Sequence, residues 1–172
     1  MNTYQWLGIT ARILPVGQQL APDMLNALSE PGNYIMTKWE RSNPLFHTPL
    51  YTGIARNLGQ RLLGNNHEKW PRASEAGVTH VHLFSVEDER TSRDFETVLR
   101  YELQPPLQDQ PRPSHHVAAK AASRIGLKDV ADRAYVQDLM LLLLSRKSPT
   151  PPLPPRPQYP NALAQALFGL GR

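Results

Sequence analysis

The chain has no cysteine, which excludes a disulfide framework and any zinc site built on thiolates. It also has no long apolar run. The longest, Leu139 to Leu144, is far short of the roughly 20 residues that cross a bilayer and reads as a buried helix. The start, Met1 to Leu14, lacks the basic opening and extended apolar stretch of a signal peptide. These absences predict a chain without a membrane partner, resident in the cytoplasm. Acidic residues are scarce toward the C-terminus: residues 110–172 carry three Asp/Glu against nine Lys/Arg, whereas residues 1–109 carry twelve against ten. A near-neutral first part joined to a basic second part suits contact with a polyanion; solubilisation alone is the plainer reading of the same charges.

What is present is a globular composition, 40% apolar and 20% charged over 172 residues, enough for one domain with a core plus appendages. Tyr4 to Leu14 suggests a short strand weakened by Gly8. Ala21 to Leu28 has the spacing of a short amphipathic helix. Asn33 to Trp39 and Pro49 to Thr52 read as paired strands, residues 55–63 as a helix, residues 64–77 as a polar loop, and Thr79 to Val86 as the clearest strand, alternating on two faces. Asp88 or Thr91 caps a helix ending near Gln104, where Pro105-Pro106 stops it. The order is β-β-α-β-α, which predicts an α/β unit with a three-stranded, mainly antiparallel sheet flanked by helices. The predicted organisation is an N-terminal extension over 1–29, this unit over 30–110, a helical hairpin over 111–148 and a proline-rich tail over 149–172.

Within that unit two tyrosines, Tyr34 and Tyr51, lie on neighbouring strands, Arg61 on the next helix and Glu96 on a later one. Phosphodiester hydrolysis needs an activated water, a cation to neutralise charge on the phosphate and help for the leaving oxygen. Glu96 offers a hard carboxylate oxygen for Mg²⁺ or Mn²⁺. Arg61 offers a planar, permanently charged guanidinium for a phosphate oxygen. A phenol orients or deprotonates water if nearby positive charge lowers its pKa. Each residue also has an ordinary role: tyrosines are good strand formers, Arg61 has Asn57 at i,i+4, and Glu96 has Arg100 at i,i+4 for a helix-face ion pair.

Pro31-Gly32-Asn33-Tyr34, Tyr51-Thr52-Gly53, Ala55 to Leu62, Phe95-Glu96-Thr97-Val98-Leu99 and Pro105-Pro106-Leu107-Gln108 together resemble the successive motifs of the GIY-YIG nuclease family, over residues 31–108. The resemblance implies a metal-dependent endonuclease acting on DNA, with RNA not excluded. Tyr34 would be the general base, Tyr51 its assistant, Arg61 the phosphate clamp and Glu96 the metal ligand. The family's histidine about one turn after the arginine falls here at Asn65, with His67 slightly beyond as its substitute. Gln108 stands where the closing motif has asparagine. Arg56, Asn57, Gln108, Lys120 and Arg124 would contact the substrate.

The rival reading is the same fold as a weak or inactive module that binds nucleic acid or protein. His80 and His82 share a strand face and read as packing or exposed residues rather than a metal pair. Residues 122–127 resemble the turn of a helix-turn-helix, but Asp132 breaks its pattern. Pro151 to Arg156 fits an SH3-type ligand for a protein partner, or a stiff spacer.

Overall fold

The computed structural model describes residues 3–17, 28–40, 46–63 and 67–145. The predicted helix over 21–28, apart from Leu28, and the whole proline-rich tail over 149–172 lie outside the described residues. Residues 1–139 form one compact unit; of the second, residues 140–172, only 140–145 are described.

The elements run β1 (Thr3–Trp6), β2 (Ile9–Pro15), β3 (Gly32–Trp39), β4 (His47–Ala55), α1 (Leu58–Leu63), α2 (Trp70–Glu75), β5 (His80–Ser85), α3 (Glu89–Leu103), α4 (His115–Arg124) and α5 (Lys128–Ser145). The expected α/β class is correct, but the sheet has five strands rather than three, in the order β1-β2-β5-β3-β4, and every pairing is antiparallel. The two additional strands come from the N-terminal segment. Gly8 does not weaken a strand there; it makes a turn. Leu7 and Gly8, at φ 54° and 80°, separate the paired residues Trp6 and Ile9, the two left-handed positions of a type I′ hairpin. With leucine in the first of them, the usual Asn-Gly or Asp-Gly signal is missing. The polar loop over 64–77 likewise contains a helix, α2, with Pro71 in its first turn.

β3 is an interior strand, between β5 and β4, and its first six residues are all buried, because both faces of the sheet are covered. On one face Tyr34, Met36, Tyr51, Val81 and Leu83 pack with Leu58 and Leu62 of α1 and Ala73 of α2. On the other, Ile35, Phe84, Trp6 and Ala11 pack with Phe95 and Leu99 of α3, Phe84 and Phe95 meeting edge-on at 4.9 Å. Asp88 caps α3 by accepting from the Thr91 N–H, a contact of about 1 kcal/mol. The helical hairpin α4–α5 packs small residues, Ala118, Ala121, Ala122 and Ala134, against Val98 and Tyr101 of α3. Leu139 to Leu144 is helical as expected but not buried. Its residues are 41–75% exposed, since the buried positions of α5, Val130 and Ala134, lie in its first turns. Among the described residues no helix is long and apolar enough to cross a membrane.

Gly32 permits the close approach of β3 to β5: a Cβ at this position would run into the Phe84 carbonyl. On the α3 face, Trp6 Nε1–H donates to His82 Nδ1 at 3.0 Å. His82 therefore carries its proton on Nε2, which donates to His47 Nδ1 at 3.1 Å. This relay works only with neutral imidazoles. Burial first, then His47 and His80, push His82 down from 6.5 to about 3.

The unfolded chain binds a proton at His82 below pH 6.5 that the folded chain excludes. Its contribution to stability is thus full above that pH and declines as the pH falls toward 3. Urea unfolding between about pH 7 and 4.5 is expected to show this decline. His82→Leu should be less stable at neutral pH, having orphaned the Trp6 N–H, yet show a shallower pH slope. An unchanged slope would refute the assignment.

Candidate nuclease site

The register of β3 against β4 sets Tyr34 opposite Gly53. A Cβ at Gly53 would lie 2.5 Å from the Tyr34 hydroxyl and 2.6 Å from its Cζ. The absent side chain is what lets the Tyr34 ring lie flat across β4. Tyr51, two residues earlier on the same face, brings its ring to 6.1 Å from that of Tyr34.

The Tyr34 hydroxyl lies 2.6 Å from His67 Nε2. The Lys69 backbone N–H donates to His67 Nδ1 at 3.1 Å, so neutral His67 holds its proton on Nε2 and donates it to the tyrosine oxygen. Burial and the Arg61 charge lower the His67 pKa from 6.5 to about 4, which keeps it in that neutral form. The Arg61 guanidinium, on α1, acts on the same phenol and favours its ionised form. With His67 Nε2–H directed at its oxygen, Tyr34 keeps its own proton available to a second group. Burial, assisted by Tyr51, nonetheless raises the Tyr34 pKa well above 10, and the Arg61 guanidinium opposes that rise only in part. Tyr51 is raised as well, by burial and then by Glu96.

Glu96 reaches this group from α3, and its charge acts on both tyrosines. The helix is positioned by a polar clasp. Asn33, on the face of β3 away from Tyr34, donates through Nδ2 to the Ser92 carbonyl at 2.9 Å and accepts from Ser92 Oγ at 2.8 Å. Ser92 precedes Glu96 by one turn, so the clasp fixes where the carboxylate emerges. Asn33 is fully buried, and removing its partner would leave a polar group unsatisfied at about 1–3 kcal/mol. The i,i+4 ion pair expected between Glu96 and Arg100 is not formed. Arg100 turns instead to Gln110 Oε1 at 2.5 Å and to the Pro111 carbonyl at 2.6 Å. Among the described residues Glu96 has neither a hydrogen-bond donor nor an ion-pair partner. Burial raises its pKa, with Arg100 and Arg93 opposing.

Tyr34, Tyr51, Arg61, His67 and Glu96 thus converge. The expected substrate contacts do not join them. Arg56 is exposed and pairs with Glu89 at 3.6 Å. Asn57 caps α1 by accepting from the Gln60 N–H at 2.8 Å. Gln108 approaches Thr52 on the outer edge of β4, where Leu107 N–H also bonds the Leu50 carbonyl at 3.0 Å. Arg124 grips Asp94 through two bonds of 2.6 and 2.5 Å. Lys120 is exposed on α4. His82 belongs to the neutral relay, and His80 packs edge-on against His47 and bonds Thr79 Oγ1. One residue had no sequence signal. Lys69 is 6% exposed, pairs with Asp109 and acts on Tyr51.

Among the described residues no three His, Asp or Glu side chains converge on a possible metal position. Among the described residues of the cluster Glu96 is the carboxylate that would hold a cation. One unpartnered, half-buried carboxylate suits Mg²⁺ or Mn²⁺, which retain several waters and take substrate oxygens.

Gly53→Ala should force the Tyr34 ring off β4 at a cost of about 1–3 kcal/mol. Denaturant unfolding measures it, and a change within error of zero would mean the ring does not depend on that vacancy.

No protein-family model matches this chain, and neither a characterised protein nor a solved structure shows significant similarity to it.

Proposed function

We propose that the chain is a metal-dependent endonuclease of the GIY-YIG type, hydrolysing DNA phosphodiester bonds. The observation that carries this reading is the Tyr34 oxygen facing a fixed donor, His67 Nε2–H, under the charge of Arg61 and beside Glu96, which has no partner among the described residues. A hydrogen bond and positive charge at a phenolic oxygen favour its ionised form, so His67 and Arg61 ease release of the Tyr34 proton to solvent, and the phenolate then takes a proton from the attacking water. Arg61 is also the guanidinium best placed to bind a non-bridging phosphate oxygen, which would draw it from Tyr34 toward the substrate. Tyr51 orients the water or the phosphate. Mg²⁺ or Mn²⁺ held by Glu96 would supply neutralisation of the charge that accumulates on the phosphate. RNA offers the same bond, and the resting geometry does not discriminate against it.

A second reading is favoured by one fact: Tyr34 has no exposed surface, and His67 only 3%. A base so enclosed suits a module that binds nucleic acid or protein without cutting.

Nicking of supercoiled plasmid decides between them. The nuclease reading expects nicking in Mg²⁺ or Mn²⁺, none in EDTA, and none with Glu96→Gln. Tyr34→Phe should lower the rate by about 10²–10⁴-fold. Because burial raises the Tyr34 pKa, the wild-type rate should climb with pH through the neutral range and beyond, as the ionised fraction grows. Binding of plasmid without nicking under all these conditions would establish the module instead.

A further inference from the structure

One cavity lies outside the tyrosine cluster, at the end of α3 and the segment that follows it. It has a volume of about 190 Å³ and is lined by Arg100, Gln104, Pro105, Gln108, Gln110 and Arg112. Its chemistry is one-sided: two guanidiniums, three primary amides, a proline and no carboxylate. Neither arginine pairs with an acid among the described residues. Arg100 donates to Gln110 and the Pro111 carbonyl, and Arg112 donates to the Tyr101 carbonyl at 3.0 Å while lying 4.4 Å over the Tyr101 ring. Both guanidiniums are thus oriented by neutral acceptors and an aromatic face, and Glu96, one turn before Arg100, acts on it without forming an ion pair. Arg100 Nε is in addition buried with no hydrogen-bond partner, and a buried donor of that kind is costly unless a ligand completes it.

The location adds a second line of support. Arg100 follows Glu96 by one turn of α3, about 6 Å along the helix, and Gln108 approaches Thr52, the residue between Tyr51 and Gly53. The end of α3 is the electronegative pole of the helix, which holds the two arginines there and by itself disfavours an anion, so a ligand here depends on the guanidiniums outweighing that pole. Gln104, in a left-handed conformation at φ 46°, turns the chain at that point and lets Pro105 to Gln110 close the cavity.

We infer that this cavity is a phosphate subsite, holding a backbone phosphate next to the one at Glu96 so that a nucleic-acid strand is gripped at two successive points. This rests on the proposed nuclease reading. It assigns substrate contact to Arg100 and Arg112, which lie beside the active cluster, rather than to the basic C-terminal segment alone.

The test is binding of a fluorescein-labelled DNA strand and its duplex to the full-length protein in EDTA, read by anisotropy across a salt series. Gln104→Glu and Gln5→Glu change the net charge equally. Gln5, however, is exposed on β1, at the opposite edge of the sheet from β4. Gln104→Glu is expected to weaken binding at least about tenfold more than Gln5→Glu, and to flatten the slope of log K against log salt by about 0.7–0.9, one phosphate contact. Arg112→Gln should flatten it similarly, while Arg112→Lys should retain most of it. If Gln104→Glu fails to fold by circular dichroism, Gln110→Glu provides the same comparison.

Equal losses from the two charge changes, or wild-type slopes in folded Gln104→Glu and Arg112→Gln, would overturn the subsite. Metal-dependent nicking measured on the same wild-type preparation separates the two ideas. Nicking with equal losses removes the subsite alone, whereas unequal losses without nicking keep the subsite and remove the nuclease.

Discussion

Strand β3 is held between β4 and β5 in one register, and the site exists because of that register. A strand alternates its side chains, so a slip of one residue would exchange its faces. In the register observed, Tyr34 points toward α1 and α2 and meets Gly53, while Asn33 points the other way and clasps Ser92 of α3. One dipeptide therefore sets both halves of the site. The tyrosine receives Arg61 and His67 on one side; the asparagine fixes the helix that carries Glu96 on the other. Burial on both faces makes the register costly to lose, since a one-residue slip would place Asn33 among the apolar residues around Met36 and Tyr51.

Two groups of neutral histidines follow a common principle with different consequences. In each, a backbone or indole N–H occupies one ring nitrogen and thereby decides where the proton resides. For His82 the result is a relay that joins the β1–β2 hairpin to the rest of the sheet through Trp6. For His67 the result is a donor directed at Tyr34. Low pKa values suit both, because a protonated ring would have to give up an acceptor role within the protein. The chemistry of His67 is thus set by its backbone neighbour Lys69 rather than by any acid or base beside it.

Much of the site was legible along the chain because the motifs are local. Tyr34 and Tyr51 on adjacent strands, Arg61 on the following helix and Glu96 on α3 have spacings that secondary-structure periods predict. The β1–β2 hairpin was obscure because Leu7 occupies a left-handed position usually given to Asn, Asp or Gly. The helix α2 was obscure because six residues rich in charge carry little apolar periodicity. Leu139 to Leu144 misled in the opposite direction, since an apolar run predicts burial only if other elements are available to cover it.

By itself the sequence determined the α/β class, the order of the elements from β3 to α5 apart from α2, the start of α3 at Asp88 or Thr91 and the residue types in the candidate site. These depend on interactions within a few residues, which periodicity and turn chemistry encode directly. Only the tertiary structure decided that the sheet has five strands, that Arg100 turns away from Glu96, that His67 donates rather than accepts, and that Arg100 and Arg112 share a cavity. Each of these depends on partners far apart in the chain, competing for the same hydrogen bonds and the same buried space. Such competition is resolved by packing, and spacing along a sequence carries no record of it.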